Sequence, residues 1–425
     1  MTDTLAATAA DTPEKYREPG HARQTFLVGE EIYLRRIEKA DATSTVSWRP
    51  TLFPLAPDRT ESWITEDLSK GETAWYAIVR KVDDVVVGSL KHRRGKLATN
   101  VDGYVDPLFG ERALHWKAEA FALALPWLID EQHRVGVHVT VPADEEPVIA
   151  ALEAAGARRT ARFRDAYYRG GERGGHGGKR GRVDQLWFER LNPQWVDRLG
   201  DPNHVEIART GQGAPRPVPA KPEIEGDPPK NAIAVGARVY LKPIDKDDAE
   251  ALARWTRRET DFSFGHSRVL ASTSSKIESR LPATKDILPR FISFAVRLRE
   301  TDEILGDVGL LGVDYLNRFG ETYSWMYNPA FRGGGYGFEA KHLLLEYAFD
   351  TLGLQMVQSF VADENTRSAA ALRKQGYSEA GRLNWIGATD GTYANDIVFD
   401  LLAAEWRALP RATGSGETPW RENHA

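Results

Sequence analysis

The sequence predicts a mixed α/β (α+β) protein made of two tandem copies of one unit, each a central mixed β-sheet flanked by helices. Three observations point there: an ordered series of similar blocks in the two halves, a proline-rich stretch between them, and strand–helix alternation inside each half.

The blocks come first. Ile32-Tyr-Leu-Arg-Arg-Ile-Glu-Lys-Ala-Asp-Ala42 matches Val239-Tyr-Leu-Lys-Pro-Ile-Asp-Lys-Asp-Asp-Ala249 at a shift of 207. Tyr76 to Gly88 matches Phe294 to Gly306 at 218, and Pro107-Leu-Phe109 matches Pro329-Ala-Phe331 at 222. Leu152 and Gly156 match Leu372 and Gly376 at 220; Asp184 and Trp195 match Asp396 and Trp406 at 212 and 211. A shift that drifts slowly in one order is the mark of duplication with loop insertions. Between the blocks, Pro215, Pro217, Pro219, Pro222, Pro228 and Pro229 interrupt any helix or ladder, so the stretch reads as a semi-extended spacer. The division is a flexible segment 1–28, a first copy 29–205, a linker 206–232, a second copy 233–409 and a flexible tail 410–425.

Within the second copy, Val239–Ile244 alternates as a strand and Asp247–Arg258 reads as a helix with acidic residues at its start. Phe291–Leu298 and Ile304–Val313 are β-branched apolar runs joined by Glu300-Thr-Asp-Glu303, a hairpin signal. Thr322–Tyr327 is a strand, Phe338–Leu352 a helix, Val357–Val361 a strand, Arg367–Gln375 a helix and Ile397–Leu401 a closing strand.

Composition bounds the function. The 425 residues are 41% hydrophobic and 28% charged, a globular balance with room for two cores. A net charge of −5 marks neither a nucleic-acid binder nor an anionic-membrane binder. The absence of cysteine removes disulfides, thiolate metal sites and cysteine nucleophiles, and suits a reducing compartment. No apolar run reaches the roughly 18 residues of a membrane helix, and Met1–Gly20 lacks the apolar stretch of a signal peptide. The expectation is a cytoplasmic protein with no membrane partner and no metal.

The chemistry centres on Tyr327-Asn-Pro-Ala-Phe-Arg-Gly-Gly-Gly-Tyr-Gly-Phe-Glu-Ala340, which joins a strand to an amphipathic helix. Gly333, Gly334, Gly335 and Gly337 let backbone N–H groups converge on a ligand without Cβ obstruction, and the following helix start adds partial positive charge. A pyrophosphate suits this arrangement, with Arg332 as a charge-assisted contact; the alternative is a glycine-rich turn with no ligand. No Gly-Lys-Ser/Thr follows, and no acidic ribose partner stands about 20 residues on, so neither a Walker loop nor the dinucleotide fingerprint applies.

Arg332-x-x-Gly335-x-Gly337 resembles the acetyl-CoA pyrophosphate loop of the GCN5-related N-acetyltransferases (GNAT superfamily). Asn365-Thr-Arg-Ser368, Leu372-Arg-Lys374-Gln-Gly-Tyr377 and Asp390-Gly391…Asp396 with Glu405-Trp406 resemble its ribosomal-protein-alanine-acetyltransferase branch. The likeness covers about Gly236 to Leu409. It implies two tandem GNAT folds and an acyl-CoA co-substrate, acetyl or longer. The loop residues Arg332, Gly333, Gly334, Gly335, Tyr336 and Gly337 would hold the donor, together with Asn365, Arg367 and Lys374. Backbone N–H groups of Met326, Tyr327 and Asn328 would hold the thioester carbonyl, and an amine would attack through a tetrahedral intermediate. A base must free the amine of its proton and a donor must protonate the leaving thiolate. Many relatives use a tyrosine as donor where this chain has Leu372, so the resemblance passes that role to Ser368, which otherwise is a polar residue on a helix's first turn. Asn365 suits both the pantetheine and an N-cap. Glu321 is the carboxylate best placed for the base, against the alternative of a solvated turn residue. His266 is a weaker candidate.

In the first copy, Gly110 stands at the place of Arg332, Ala113 at Gly335 and His115 at Gly337, with Glu145 at Asn365 and Val148 at Ser368. That copy is not expected to bind CoA in the usual way. Its Arg169–Arg182 stretch resembles an Arg-Gly box, read as a hairpin tip or a contact for RNA, an acidic peptide or a carrier protein.

The resulting expectation is an N-acyltransferase whose acceptor is a primary amine of a peptide, protein N-terminus or small molecule. The alternatives are an idle binder of CoA or a carrier arm, and an acyltransferase drawing on a carrier protein in natural-product biosynthesis. Homodimerisation is left open by the sequence.

Overall fold

The computed structural model describes residues 26–44, 48, 55–66, 68, 72–94, 97–169, 181–202, 215–257, 273–279, 287–389 and 392–413. His266, most of the Arg169–Arg182 stretch, and Asp390 with Gly391 lie outside them.

The first half runs β1 (Leu27–Val28), β2 (Ile32–Arg36), α1 (Pro57–Glu66), β3 (Thr73–Arg80), β4 (Val86–Arg94), β5 (Thr99–Val105), α2 (Glu111–Pro126), β6 (Gly136–Pro142), α3 (Glu146–Ala154), β7 (Arg158–Arg169), β8 (Gly181–Leu191) and α4 (Pro193–Leu199). The second repeats the order: β9 (Ala234–Val235), β10 (Val239–Pro243), α5 (Lys246–Thr256), α6 (Ser274–Glu278), β11 (Ile292–Leu298), β12 (Ile304–Asp314), β13 (Phe319–Met326), α7 (Tyr336–Glu346), β14 (Met356–Ala362), α8 (Thr366–Lys374), β15 (Ser378–Thr389), β16 (Thr392–Leu402) and α9 (Ala403–Ala408). All strands join one mixed sheet, ordered β1-β2-β3-β4-β5-β6-β8-β7-β15-β16-β14-β13-β12-β11-β10-β9.

Matching side chains make matching contacts. Arg35 pairs with Asp41 at 2.7 Å, and Lys242 with Asp248 at 3.1 Å. Tyr33 donates to Asp84, as Tyr240 does to Asp302. Asp84 and Asp302 each take the left-handed conformation of their hairpin, φ 57° and 59°, which aspartate tolerates better than most residues. The helix α5 opens with a reciprocal cap, Asp248 N to Asp245 Oδ1 at 2.9 Å and Asp245 N to Asp248 Oδ2 at 3.0 Å.

Each half has its own core between sheet and helices. Leu34, Phe121, Leu125 and Val139 lie in the first; Leu241, Leu344, Phe349 and Phe399 lie in the second. A third cluster, with Phe163, Met356, Leu383 and Val398, fills the junction. There β7 and β15 meet antiparallel at Ala161 and Gly381. Gly381 has φ +148°, and a Cβ on it would lie 2.2 Å from Thr160 O, so only glycine allows this approach. Arg164 binds Asp400 at 2.8 Å and also Glu405, while Asn384 donates to Glu189 at 2.7 Å.

Contacts reach past the expected divisions. Among the described residues, the first strand is Leu27–Val28, which pairs with β2. Part of the proline-rich stretch is docked rather than a free spacer, because its unpaired backbone finds partners on the second half. Val218 bridges Arg411 in parallel, its N–H reaching Pro410 O at 2.8 Å, and Arg216 N donates to Lys374 O at 2.9 Å. Residues 410–412 are therefore tied to the fold as well.

Candidate active site

The site grows from the place where neighbouring strands of the second half part. The parallel pair β13 and β14 is matched only at Phe319↔Met356, Gly320↔Val357 and Glu321↔Gln358. Beyond, β14 continues against β16, while β13 continues against β12. At the vertex Ser359 Oγ donates to Thr322 O at 3.1 Å, and the Tyr377 and Thr322 hydroxyls meet at 2.8 Å. A cavity of about 390 Å³ runs through the opening, walled by β13, β14, α7, α8 and the glycine loop.

Antiparallel parity decides which N–H groups face this opening. Tyr327 N and Asn328 N both donate to Leu305 O, at 3.0 and 3.3 Å, so they point to β12. Met326 lies opposite Gly306 and adjoins Tyr327, so its N–H turns the other way, to the parted edge. The expectation for Met326, Tyr327 and Asn328 thus narrows to Met326. Tyr327 is a core residue stacked 4.9 Å from Trp325, and Asn328 accepts from Ala330 N at 3.1 Å to start the short turn Pro329–Phe331.

The loop then rises to α7. Gly333 and Gly335 hold φ of +83° and +80°, left-handed backbone that glycine adopts without a Cβ penalty. A Cβ at Gly337 would lie 3.2 Å from Met326 Cγ, so its absence lets the helix start close on the strand. Arg332 turns inward: Nε donates to Met326 O at 2.9 Å and Nη2 to Tyr327 O at 3.1 Å. Its guanidinium ties the loop to the strand end, a direction that spacing alone does not give. Arg238, which sequence reasoning missed, donates to Gly334 O at 2.8 Å, pairs with Glu339 at 3.1 Å and lies 4.2 Å over the Tyr336 ring. Tyr336 therefore packs the loop.

Opposite the loop, Asn365 accepts from Ser368 N at 3.0 Å as the cap of α8, and both line the cavity with Arg367. Lys374 is not among the lining residues; it is exposed at the far end of α8. Glu321 lines the cavity at its vertex, and burial pushes its carboxyl up to about 7, helped by Asp396 and opposed by Lys341. A solvated turn residue it is not. Lys341 is a second missed residue: it lines the same cavity, and burial pushes its amine down to about 7 against the pull of Glu321.

The first half has the same parting, at Val101↔Val139, but a closed cleft. There α2 and α3 pack directly on each other, whereas the cavity separates α7 from α8. The helix α2 has 16 residues and α7 has 11, the extra ones lying where the glycine loop stands. Glu119 accepts from Glu31 N as Glu339 does from Arg238 N, which fixes the helices at a shift of 220. Lys117, rather than His115, thus stands at the Gly337 position, and it pairs with Glu145 at 2.5 Å across the space.

Residues 238–378 match the family model described as the Acetyltransferase (GNAT) domain. The chain is similar to the uncharacterized N-acetyltransferase p20 of Bacillus licheniformis, 28% identical over 180 residues, 40% of this chain and 95% of that protein. It is also similar to the uncharacterized N-acetyltransferase YnaD of Bacillus subtilis (strain 168), 28% identical over 116 residues, 27% and 65% of the two chains. Among solved structures, the spermidine N-acetyltransferase of Vibrio cholerae in complex with CoA and spermine is 19% identical. It covers 40% of this chain and 99% of that one, with a TM-score of 0.36. Over residues 238–378 the second half is thus similar to GNAT acetyltransferase domains.

Proposed function

We propose that the second half is an acyl-CoA-dependent N-acyltransferase that acylates a primary amine by direct attack, and that the first half is a copy of the same unit that does not bind CoA. One observation carries the reading: a single cavity joins the glycine loop, the inward edge of Met326 and the raised carboxyl of Glu321.

The residues suit an acyl-CoA. The N–H groups of Gly333 to Gly337 and the start of α7 face where a pyrophosphate would lie. The missing Cβ of Gly337 and the gap between α7 and α8 leave a path for a narrow arm. Met326 N–H faces the parted edge, where an oxyanion can form.

Each step then has a residue. Glu321 takes a proton from the ammonium form of the acceptor, directly or through water. A carboxyl near 7 is half ionised at neutral pH and so suits a base. The amine nitrogen bonds to the acyl carbon and loses its remaining extra proton to water, and the carbon–sulfur bond breaks. Ser368 gives its hydroxyl proton to the departing thiolate and regains one from solvent. The acceptor is a primary amine of a peptide, protein N-terminus or small molecule; a carrier protein is a second source of the acyl group through the same cleft.

Thiol release from acetyl-CoA and longer acyl-CoAs, measured over a panel of amines, tests the reading. Amine-dependent release is expected, with an acid limb near pH 7 that Glu321→Gln abolishes along with most of the rate. Release that no amine stimulates would leave an idle binder.

A further inference from the structure

Lys341 takes no part in those steps, yet it lies in the middle of the site. It sits on α7 one turn past Gly337, is 2% exposed, and lines the cavity with Glu321. A lysine taken out of water is costly unless an opposite charge answers it. Lys341 is buried on the helix side of the sheet, and Glu321 stands at the vertex where the strands part.

The first half supplies an internal control. At the same helix position, shift 220, stands Phe121, fully buried in the core. On the strand, His138 corresponds to Gln358 at the same shift. Their partners, Asn100 and Glu321, therefore correspond. Both charges are absent where the cleft is closed and both are present where it is open. Packing alone does not require them.

Resting on the reading of Glu321 as base, we infer that Lys341 is a positioning residue: its ammonium, across the vertex from Glu321, holds that carboxylate ionised and aimed into the cleft. The other charged groups are few. Asp396 of β16 acts on Glu321 in the opposite sense, and Arg367 of α8 lines the same cavity. Burial and Asp396 both favour the protonated acid; Lys341 opposes them. Removing Lys341 therefore raises the pH at which Glu321 ionises.

The test is Lys341→Met in the full chain, read as amine-dependent thiol release against pH, with CoA affinity by calorimetry. The acid limb should move up by about one pH unit, with about a fivefold loss at neutral pH. The two enzymes should converge at high pH, and CoA affinity should stay within a few fold of the parent's. A parallel loss at every pH, or an unmoved limb, overturns the inference. Lys341→Gln, polar and close in size, repeats the measurement where the methionine variant does not fold. Glu321→Gln separates this from the underlying reading. If that variant keeps the parent's rate and limb, the base assignment fails; if it loses them while Lys341→Met changes nothing, only the role of Lys341 fails.

Discussion

Gly337→Lys with Asn365→Glu installs in the second half the pair that Lys117 and Glu145 make in the first, and the structure sets its scale. Lys117 and Glu145 are 12% and 9% exposed and 2.5 Å apart, so little water screens them. In a double-mutant cycle such a pair couples by about 1–3 kcal/mol. Against this, a Cβ at Gly337 sits 3.2 Å from Met326 Cγ, and the strand must yield a few tenths of an ångström. That strain, together with the lost Asn365 cap of α8, costs about 2 kcal/mol. The two effects nearly cancel, so the double variant should melt close to the parent. The ligand sees a different change, because the new side chains span the only gap between α7 and α8 among the described residues. Affinity for CoA should fall at least about a hundredfold, or about 2.8 kcal/mol. Calorimetry with CoA, run beside thermal unfolding of the parent and both single variants, reads both quantities. A double variant that melts normally and binds CoA within a few fold of the parent refutes the idea that this gap is the path of the donor.

Ser368→Ala should lower turnover about a hundredfold without changing CoA affinity. The cap of α8 uses Ser368 N–H, which alanine keeps; an unchanged turnover removes Ser368 as donor. Arg164→Ala strips the fully buried Asp400 of its cation, a loss of about 3–5 kcal/mol in urea unfolding. A change below about 1 kcal/mol would show that this ion pair does not hold the halves together.

What the sequence made legible was local. The block from Ile32 and the block from Val239 repeat because each encodes a strand, a turn and the acid that ties them, Asp41 or Asp248, all within a dozen residues. The glycine loop was legible because positive φ demands glycine whatever surrounds it. What stayed hidden depends on partners far away in the chain. Lys341 stands in Glu-Ala-Lys-His-Leu, where a lysine reads as part of a solvated helix face; its burial is set by strands and a helix that come elsewhere. Arg332 reads in the sequence as a pyrophosphate contact because spacing gives charge but no direction, and the carbonyls it meets lie five and six residues back. Choosing Met326 over Tyr327 and Asn328 required the register with β12, which no run of apolar residues encodes.

The junction ties the half with a closed cleft to the half with an open one. The strand order reads alike from either end, and Ala161 pairs with Gly381, its own counterpart at a shift of 220. A residue that faces its own equivalent lies on a two-fold axis, so each half presents the same surface to the other, as in an isologous dimer. Asn384, the counterpart of Arg164, accordingly reaches Glu189 as Arg164 reaches Asp400. The symmetry is of position only, since the charge is kept on one side and replaced by an amide on the other. Across this surface Phe163 and Trp187 of the first half pack 5.9 and 6.1 Å from Phe360, and Phe360 lines the cavity. Without the first half, β15 would become an open edge, Asp400 would lose its cation, and Phe360 would lose its backing. The geometry of the parted strands is in this way set partly by residues of the other half.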